Sequence, residues 1–457
     1  MNKVFILAKK YFWQLLAFFL VLGLFLQDRL IIKKVIWNGS FIEYQSFAIY
    51  PLSVLILGCF LGLVIYRILK KKRFYFGPKW FLVLSGLIGI VILITGLWGL
   101  NREVSLFFLT KFILGFLLYL VVLNLGVSFR FWQLSLIGFI VLEGLIGIGQ
   151  MIFQRDLNLT LIVGEPKLNP SILGISVIEW SGHRLLRAYG NLPHPNILGG
   201  VLSVGLILLT SFYLTVREKL KFRGSCESVL LFIFAFLTMF LGLFFTFSRS
   251  AWLPLGLITI VGMVIFLICH LRHKLTRELR QRIFKVNLIL LGCLILTVAL
   301  FFAPLKVRFN PEESYMPQVI KSRSDYFQET KQLSEKYWWK GVGAGNYVKG
   351  VFNQITSTDQ GFLYQPVHNV LALVFAETGI GGLILVLILI GYWFRELLIR
   401  IRGGLKSERE VGFFVVSLSL FTLFLANMLD HYLLTSMMGF YLLWLLMGMG
   451  FLLTGEK

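Results

Sequence analysis

Apolar residues fill this chain in long blocks, from one end to the other, with short polar segments between them. A helix needs about 20 mostly apolar residues to span the hydrocarbon core of a bilayer. Runs near that length cover 11–26, 47–66, 80–100, 104–124, 132–153, 197–216, 229–247, 251–269, 286–303, 370–394, 411–429 and 433–453. The pattern predicts an all-α membrane protein with about twelve transmembrane helices. No stretch the size of a soluble domain is left over, so residues 1–457 read as one polytopic membrane domain.

The polar intervals carry a second signal, because short cytoplasmic loops hold the excess of Lys and Arg. Lys70, Lys71, Lys72 and Arg73 set one end of the second run inside. Alternation from there puts 217–228, 270–285 and 395–410 inside as well, and each is strongly basic. Both termini then fall in the cytoplasm. Lys3, Lys9 and Lys10 precede the first run as in a signal peptide, but no small-residue cleavage site follows near Gln27 and Asp28, so the run reads as a retained helix.

The same alternation assigns residues 154–196, the Ser248-Arg249-Ser250 link and the long segment 304–369 to the outer face. A loop as long as 304–369 is usually functional or disordered. Its Tyr315, Tyr326, Phe327, Tyr337, Trp338 and Trp339 argue against disorder, and residues 318–339 read as one or two interfacial amphipathic helices.

Composition supports this picture: 57% of residues are hydrophobic and 14% charged, against roughly 45–50% and about 25% in a soluble domain. The formal net charge of +22 lies in the short segments between apolar runs. It is therefore a topology signal and implies no nucleic-acid partner. Cys59, Cys226, Cys269 and Cys293 lie in apolar runs or in segments read as cytoplasmic, and form neither a disulfide framework nor a zinc pattern.

Candidate chemistry gathers on the outer segments. Arg187 opens a stretch ending in Pro195-Asn196, where the proline favours a helix start, and a cation beside free helix-terminal N–H groups suits phosphate. Anchoring at lipid headgroups is the structural alternative for Arg187 and for Arg249. His368 and Asn369 precede the run at 370, and a histidine there can take a proton near neutral pH. Glu377 lies inside that run, where an ionisable group is expensive and pairs with a cation or a helix-terminal amide. His183, His194, His368 and His431 all fall outside, but their spacing matches no zinc motif, so no metal is expected. Gly341, Gly343 and Gly345 lack the strand and the Lys-Ser/Thr of a nucleotide loop. They suggest a tight turn that brings backbone close to a helix or a ligand.

On these residues the chain resembles the O-antigen ligase and polymerase superfamily of bacterial membrane glycosyltransferases. His368-Asn369, followed by Gly379 and Gly382, is similar to the family's histidine signature after its large outer loop. Arg323-Ser-Asp-Tyr-Phe through Gly341-Val-Gly343-Ala-Gly345-Asn346 is similar to the stretch that opens the ligase domain. The Arg187 segment and the Ser248-Arg249-Ser250 link match in order, and the likeness extends over about 180–395. It departs in lacking a second histidine-rich outer motif, which leaves the acceptor open.

The resemblance implies a GT-C-like enzyme that moves a glycan from a polyprenyl-pyrophosphate carrier to a hydroxyl acceptor, without cofactor or required metal. Arg187 and Arg249, with Arg323, would hold the pyrophosphate, and His368 would orient or deprotonate the acceptor hydroxyl. Asn196, Asn369, Glu377, Gly343 and Gly345 would line or position the site, in contact with membrane lipid. A ligase and a polymerase are both compatible with these residues. A secondary transporter is the rival from another class. Its acidic groups within apolar runs would be Glu143 and Glu377, but the chain shows no clear internal repeat.

Overall fold

In the computed structural model, residues 2–37, 39–160, 164–172, 174–180, 182–215, 226–271, 277–300, 302, 306, 323–354, 364–403 and 407–454 are described. Tyr315, residues 318–322, the basic residues Arg217 to Arg223, Arg272, Lys274 and Lys406 lie outside them.

The chain is mainly helical: α1 (Asn2–Phe25), α2 (Pro51–Leu69), α3 (Lys79–Leu97), α4 (Arg102–Asn124), α5 (Phe129–Phe153), α6 (Pro195–Thr215), α7 (Cys226–Phe245), α8 (Arg249–Leu271), α9 (Arg277–Leu300), α10 (Arg323–Tyr337), α11 (Tyr347–Gln354), α12 (Val370–Gly403), α13 (Glu408–Asn427), α14 (Tyr432–Thr435) and α15 (Met437–Leu452). A helix underlies every predicted apolar run, the last being split into α14 and α15. Among the described residues, seven helices are long and apolar enough to cross a membrane and five further apolar segments are shorter, so the chain is a multi-pass membrane protein.

Hydropathy underestimates several helices. The predicted inner segments 270–285 and 395–410 are partly helix, since α9 begins at Arg277 and α12 continues to Gly403. Arg and Lys are good helix formers, and cations near a helix C-terminus favour the macrodipole, so α12 runs on through Arg395, Arg400 and Arg402. The helical expectation holds for most of the chain, with a little sheet added. Three two-stranded antiparallel ribbons form between apolar runs or, for β4, at the start of one: β1 (Leu30–Lys33) with β4 (Phe47–Ile49), β2 (Ile36–Trp37) with β3 (Ser40–Phe41), and β5 (Val177–Trp180) with β6 (His183–Leu186). These are short local pairings, and hydropathy does not detect them.

The chain divides into two compact units. The first contains residues 1–129, 318–398 and 427–457, the second 130–317 and 399–426.

In the first unit, α10 places Tyr326, Glu329, Thr330 and Leu333 on one buried stripe, a helical spacing. Tyr326 and Leu333 join Val342, Tyr347, Val348, Val351, Leu373 and Ala376 in one core cluster, which Ile42 from the β3 segment completes. Burying a side chain such as Leu333 contributes roughly 1.5–3 kcal/mol. The amphipathic helix expected over 318–339 is thus present over 323–337, with its apolar stripe on protein and Phe327 on its exposed side.

α12 is broken inside its apolar run, at Gly379 (φ 67°, ψ −169°). A break of this kind frees backbone groups that must find other partners in an apolar setting. The loop 338–343 supplies them. The Ala376 carbonyl accepts from Val342 N–H and the Glu377 carbonyl from Gly343 N–H, each at 2.9 Å, while Ile380 N–H donates to the Trp338 carbonyl at 2.9 Å. Gly341 and Gly379 have positive φ, and a Cβ on either would overlap backbone of the opposite segment.

Candidate functional site

In the second unit, the candidate groups meet where two helices begin. Arg187 follows β6 and is buried. Its Nε donates to the Thr246 carbonyl at 2.6 Å and its Nη2 to Asn196 Oδ1 at 2.8 Å. The same Asn196 oxygen accepts from Ser248 Oγ at 2.9 Å, and Ser248 Oγ lies 3.0 Å from Ser250 Oγ. Asn196 stands in the first turn of α6 and Ser248 immediately precedes α8. A guanidinium, an amide and two hydroxyls therefore bind the two helix starts together, where first-turn N–H groups favour anions.

Pro195 starts α6 as expected, because its fixed φ suits the first helical position and it has no N–H to leave unpaired. The Ser248-Arg249-Ser250 link is shorter than expected. Arg249 is already the first residue of α8, and it is exposed between two buried serines.

The Arg187 segment is held from below by polar groups of α5. Gln150 Oε1 accepts from Tyr189 N–H (3.0 Å) and Gly190 N–H (2.9 Å), and its Nε2 donates to the Gly190 carbonyl (2.7 Å) and to Glu165 (2.9 Å). Two turns earlier in the same helix, Glu143 accepts from Asn191 N–H at 2.7 Å. His194 pairs with Ser176 Oγ and with Asn196 N–H. His183, on β6, is exposed.

In the first unit, Asn369 caps α12, its Oδ1 accepting from Ala372 N–H at 2.9 Å while its Nδ2 donates to the Met428 carbonyl at 3.1 Å. A capping amide of this type is a usual helix start, and here it also fixes His368 beside the segment that follows α13. One ligand-capable atom from each of His368, Asp430 and His431 lies within 4.8 Å of the others. The two imidazole centroids are 5.0 Å apart, with the Tyr326 ring 5.4 Å from His368 and the Tyr44 ring 5.8 Å from His431. His431 Nδ1 pairs with Thr435 Oγ1 at 2.8 Å, and His431 N–H donates to Asp430 Oδ1 at 2.8 Å.

Burial pushes the His368 imidazole below its ordinary value, opposed by the Asp430 carboxylate and assisted by the Arg323 cation. Burial takes His431 down to about 4. Both rings are thus neutral near pH 7 and each keeps a lone pair. Arg323 itself is exposed at the first position of α10.

Glu377 does not pair with a cation through any hydrogen bond or ion pair seen among the described residues. Its Oε1 accepts from Tyr347 N–H, the first residue of α11, at 3.3 Å. Of the two partners expected from sequence, the helix-terminal amide is the hydrogen-bonded one, and the Lys111 charge acts on Glu377 across the cavity that both line. Gly343 and Gly345 both have positive φ, and the Gly345 carbonyl accepts from Gln45 Nε2 at 2.9 Å. Beside this loop lies a cavity of about 350 Å³, whose largely apolar wall includes Phe41, Leu57, Phe108 and Leu373 and also Tyr44 and Thr435, which both contact His431.

Sequence reasoning placed His431 on the outer side but not with His368, and it passed over Asp430, Thr435 and the 30–49 ribbons. The only local signal was an Asp-His pair between two apolar runs. The fold groups two of the four outer histidines, His368 and His431, with one carboxylate, Asp430.

Residues 234–387 match a family model described as O-antigen ligase. No curated protein matches the chain. The matched stretch contains Arg249, Arg323, Gly343, Gly345, His368, Asn369 and Glu377, whereas Arg187, Asn196, Asp430 and His431 lie outside it.

Proposed function

We propose that this chain, whose residues 234–387 match the O-antigen ligase family model, moves a glycan from a polyprenyl-pyrophosphate carrier to a hydroxyl acceptor at the outer face of the cytoplasmic membrane. The observation that carries this reading is His368: a half-buried imidazole beside a carboxylate, just ahead of a capped helix, within the matched stretch.

In the proposed reaction the acceptor oxygen bonds to the anomeric carbon, the bond from that carbon to the pyrophosphate oxygen breaks, and His368 takes the hydroxyl proton. Negative charge grows on the departing pyrophosphate, where fixed cations and oriented N–H groups have most effect. Arg187, locked by Thr246 and Asn196, organises the starts of α6 and α8. Arg249 is exposed at one of those starts for direct contact with phosphate, and Arg323 is a further cation for the same charge. The apolar cavity beside His431 suits the lipid part of a substrate. Because the carrier bond is already activated, neither ATP nor an electron carrier is required.

The transporter reading loses its main support in the same geometry. Glu143, within an apolar run, accepts from a loop backbone N–H, and Glu377 accepts from the first N–H of α11.

His368→Ala and Arg249→Ala should each accumulate lipid-linked glycan in cells at a normal level of the protein. Wild-type transfer by both variants would sink the assignment. In a strain lacking the protein, long lipid-linked chains indicate a ligase, and single repeat units indicate the superfamily's alternative, a polymerase.

A further inference from the structure

We propose that the cavity beside the glycine loop is a binding site for a phosphate-bearing long-chain lipid, with the Lys111 ammonium meeting the phosphate. The cavity holds about 350 Å³, within the range that takes a small ligand. Its charged lining groups are Arg29, Glu43, Lys111 and Glu377, all in the first unit, whereas Arg187 and Arg249 belong to the second. It therefore has a cation of its own, separate from the arginines assigned to the pyrophosphate.

Three of these four charges already have partners. Arg29 pairs with Glu43 and donates to the Tyr50 hydroxyl at 3.0 Å. Glu377 is held by the Tyr347 N–H, and its charge acts on Lys111 across the cavity without forming an ion pair. Lys111 has no hydrogen bond or ion pair among the described residues. Its ammonium lies 5.8 Å from the Phe108 ring centroid and 5.5 Å from that of Phe440. Ring faces attract a cation, but they leave its three N–H donors available to an anion's oxygens. Lys111 stands about 13 Å along α4 from Arg102, the helix's first residue. An ionisable group inside a membrane span is expensive and marks a ligand or ion site by default.

The mouth of the cavity decides between a lipid and a soluble anion. Ile31, Ile49, Val54 and Leu57 line it and are exposed. Val54 and Leu57 lie three residues apart on one face of α2, a helix long and apolar enough to cross the membrane. This side therefore opens toward hydrocarbon. An anion arriving from water would pass an apolar rim unpaired, at a large desolvation cost. A lipid brings its phosphate in on a chain that matches the wall.

Binding does not rest on the reaction proposed above, and it is measured without any glycan donor. The test uses the full-length protein, delipidated in a neutral detergent, and native mass spectrometry. Wild type should retain phosphatidylglycerol over a diacylglycerol with the same chains by at least about 10-fold. Lys111→Met keeps an unbranched side chain without the charge and should bind the two lipids equally, while Lys111→Arg should restore most of the preference. Lys331→Gln, which removes an exposed cation on α10, should match wild type. A second measurement needs no variant: a photoreactive phosphatidylglycerol should label residues 104–114. Excess phosphatidylglycerol should suppress that label, and neither diacylglycerol nor inorganic phosphate should. Equal retention of both lipids by wild type overturns the proposal, as does an unchanged preference in Lys111→Met, which would leave Lys111 as a counter-charge to Glu377 alone. Suppression of the label by inorganic phosphate would make the ligand a soluble anion and overturn the proposal too. Should Lys111→Met not fold, the photolabel decides. A protein that holds the lipid but transfers no glycan would overturn the reaction and leave this site standing.

Discussion

At the residue scale, the two carboxylates inside apolar runs do the same job. Glu143 receives Asn191 N–H in the segment that carries Arg187, and Glu377 receives Tyr347 N–H at the end of the glycine loop. An acceptor removed from a buried N–H leaves that donor unpaired, which costs about 1–3 kcal/mol. Glu377→Ala should therefore lower the thermal unfolding temperature in detergent, with transfer falling in step with the folded fraction. Glu377→Gln keeps an acceptor oxygen and should lie between the variant and wild type. A fully stable Glu377→Ala protein with no transfer would instead mean that the carboxylate touches substrate. Single residues were legible in sequence where a motif marks them: His368-Asn369 before an apolar run, Arg187 ahead of Pro195-Asn196. Asp430 and His431 were not, because their meaning lies in a spatial neighbour far away along the chain.

At the scale of elements, the glycine loop and the broken helix form one backbone assembly. The loop spends its N–H groups on the carbonyls that the break at Gly379 releases, and Trp338 returns an acceptor to Ile380. Close backbone contact on both sides is possible only without Cβ atoms at Gly341 and Gly379. Gly341→Ala and Gly379→Ala should each accumulate poorly or unfold at markedly lower temperature, whereas Gly381→Ala, in the same helix with open space around it, should behave as wild type. Fluorescence-detected size-exclusion chromatography across a temperature series separates these outcomes. Equal stability of all three variants would refute the assembly. A tight turn against a helix could be read from the glycines, but its partner could not, since hydropathy treats 370–394 as one uninterrupted run. The helices themselves were visible because a membrane imposes length and apolarity. Their ends were not, because basic residues continue α9 and α12 beyond the apolar core.

For the whole molecule the open question is direction, and one helix bears on it from both ends. At the C-terminal end of α6, Arg282 donates to the Leu214 carbonyl at 3.2 Å and Arg130 to the Thr215 carbonyl at 3.4 Å, while Arg130 also pairs with Glu408 at 2.8 Å. Cations on terminal carbonyls stabilise that end, and clustered Arg is the mark of a cytoplasmic loop. The opposite end holds Pro195, Asn196 and the Arg187 network, so if the basic end lies inside, as the charge alternation predicts, the candidate phosphate groups lie at the outer end. The same alternation puts Lys72 inside and His183 outside. In a background with the four cysteines replaced by Ala, His183→Cys should react with a membrane-impermeant maleimide in intact spheroplasts, and Lys72→Cys only after permeabilisation. Both side chains are exposed, so neither result turns on burial. The reverse pattern would place Arg187 and Arg249 on the cytoplasmic side, where a reaction at the outer face could not use them.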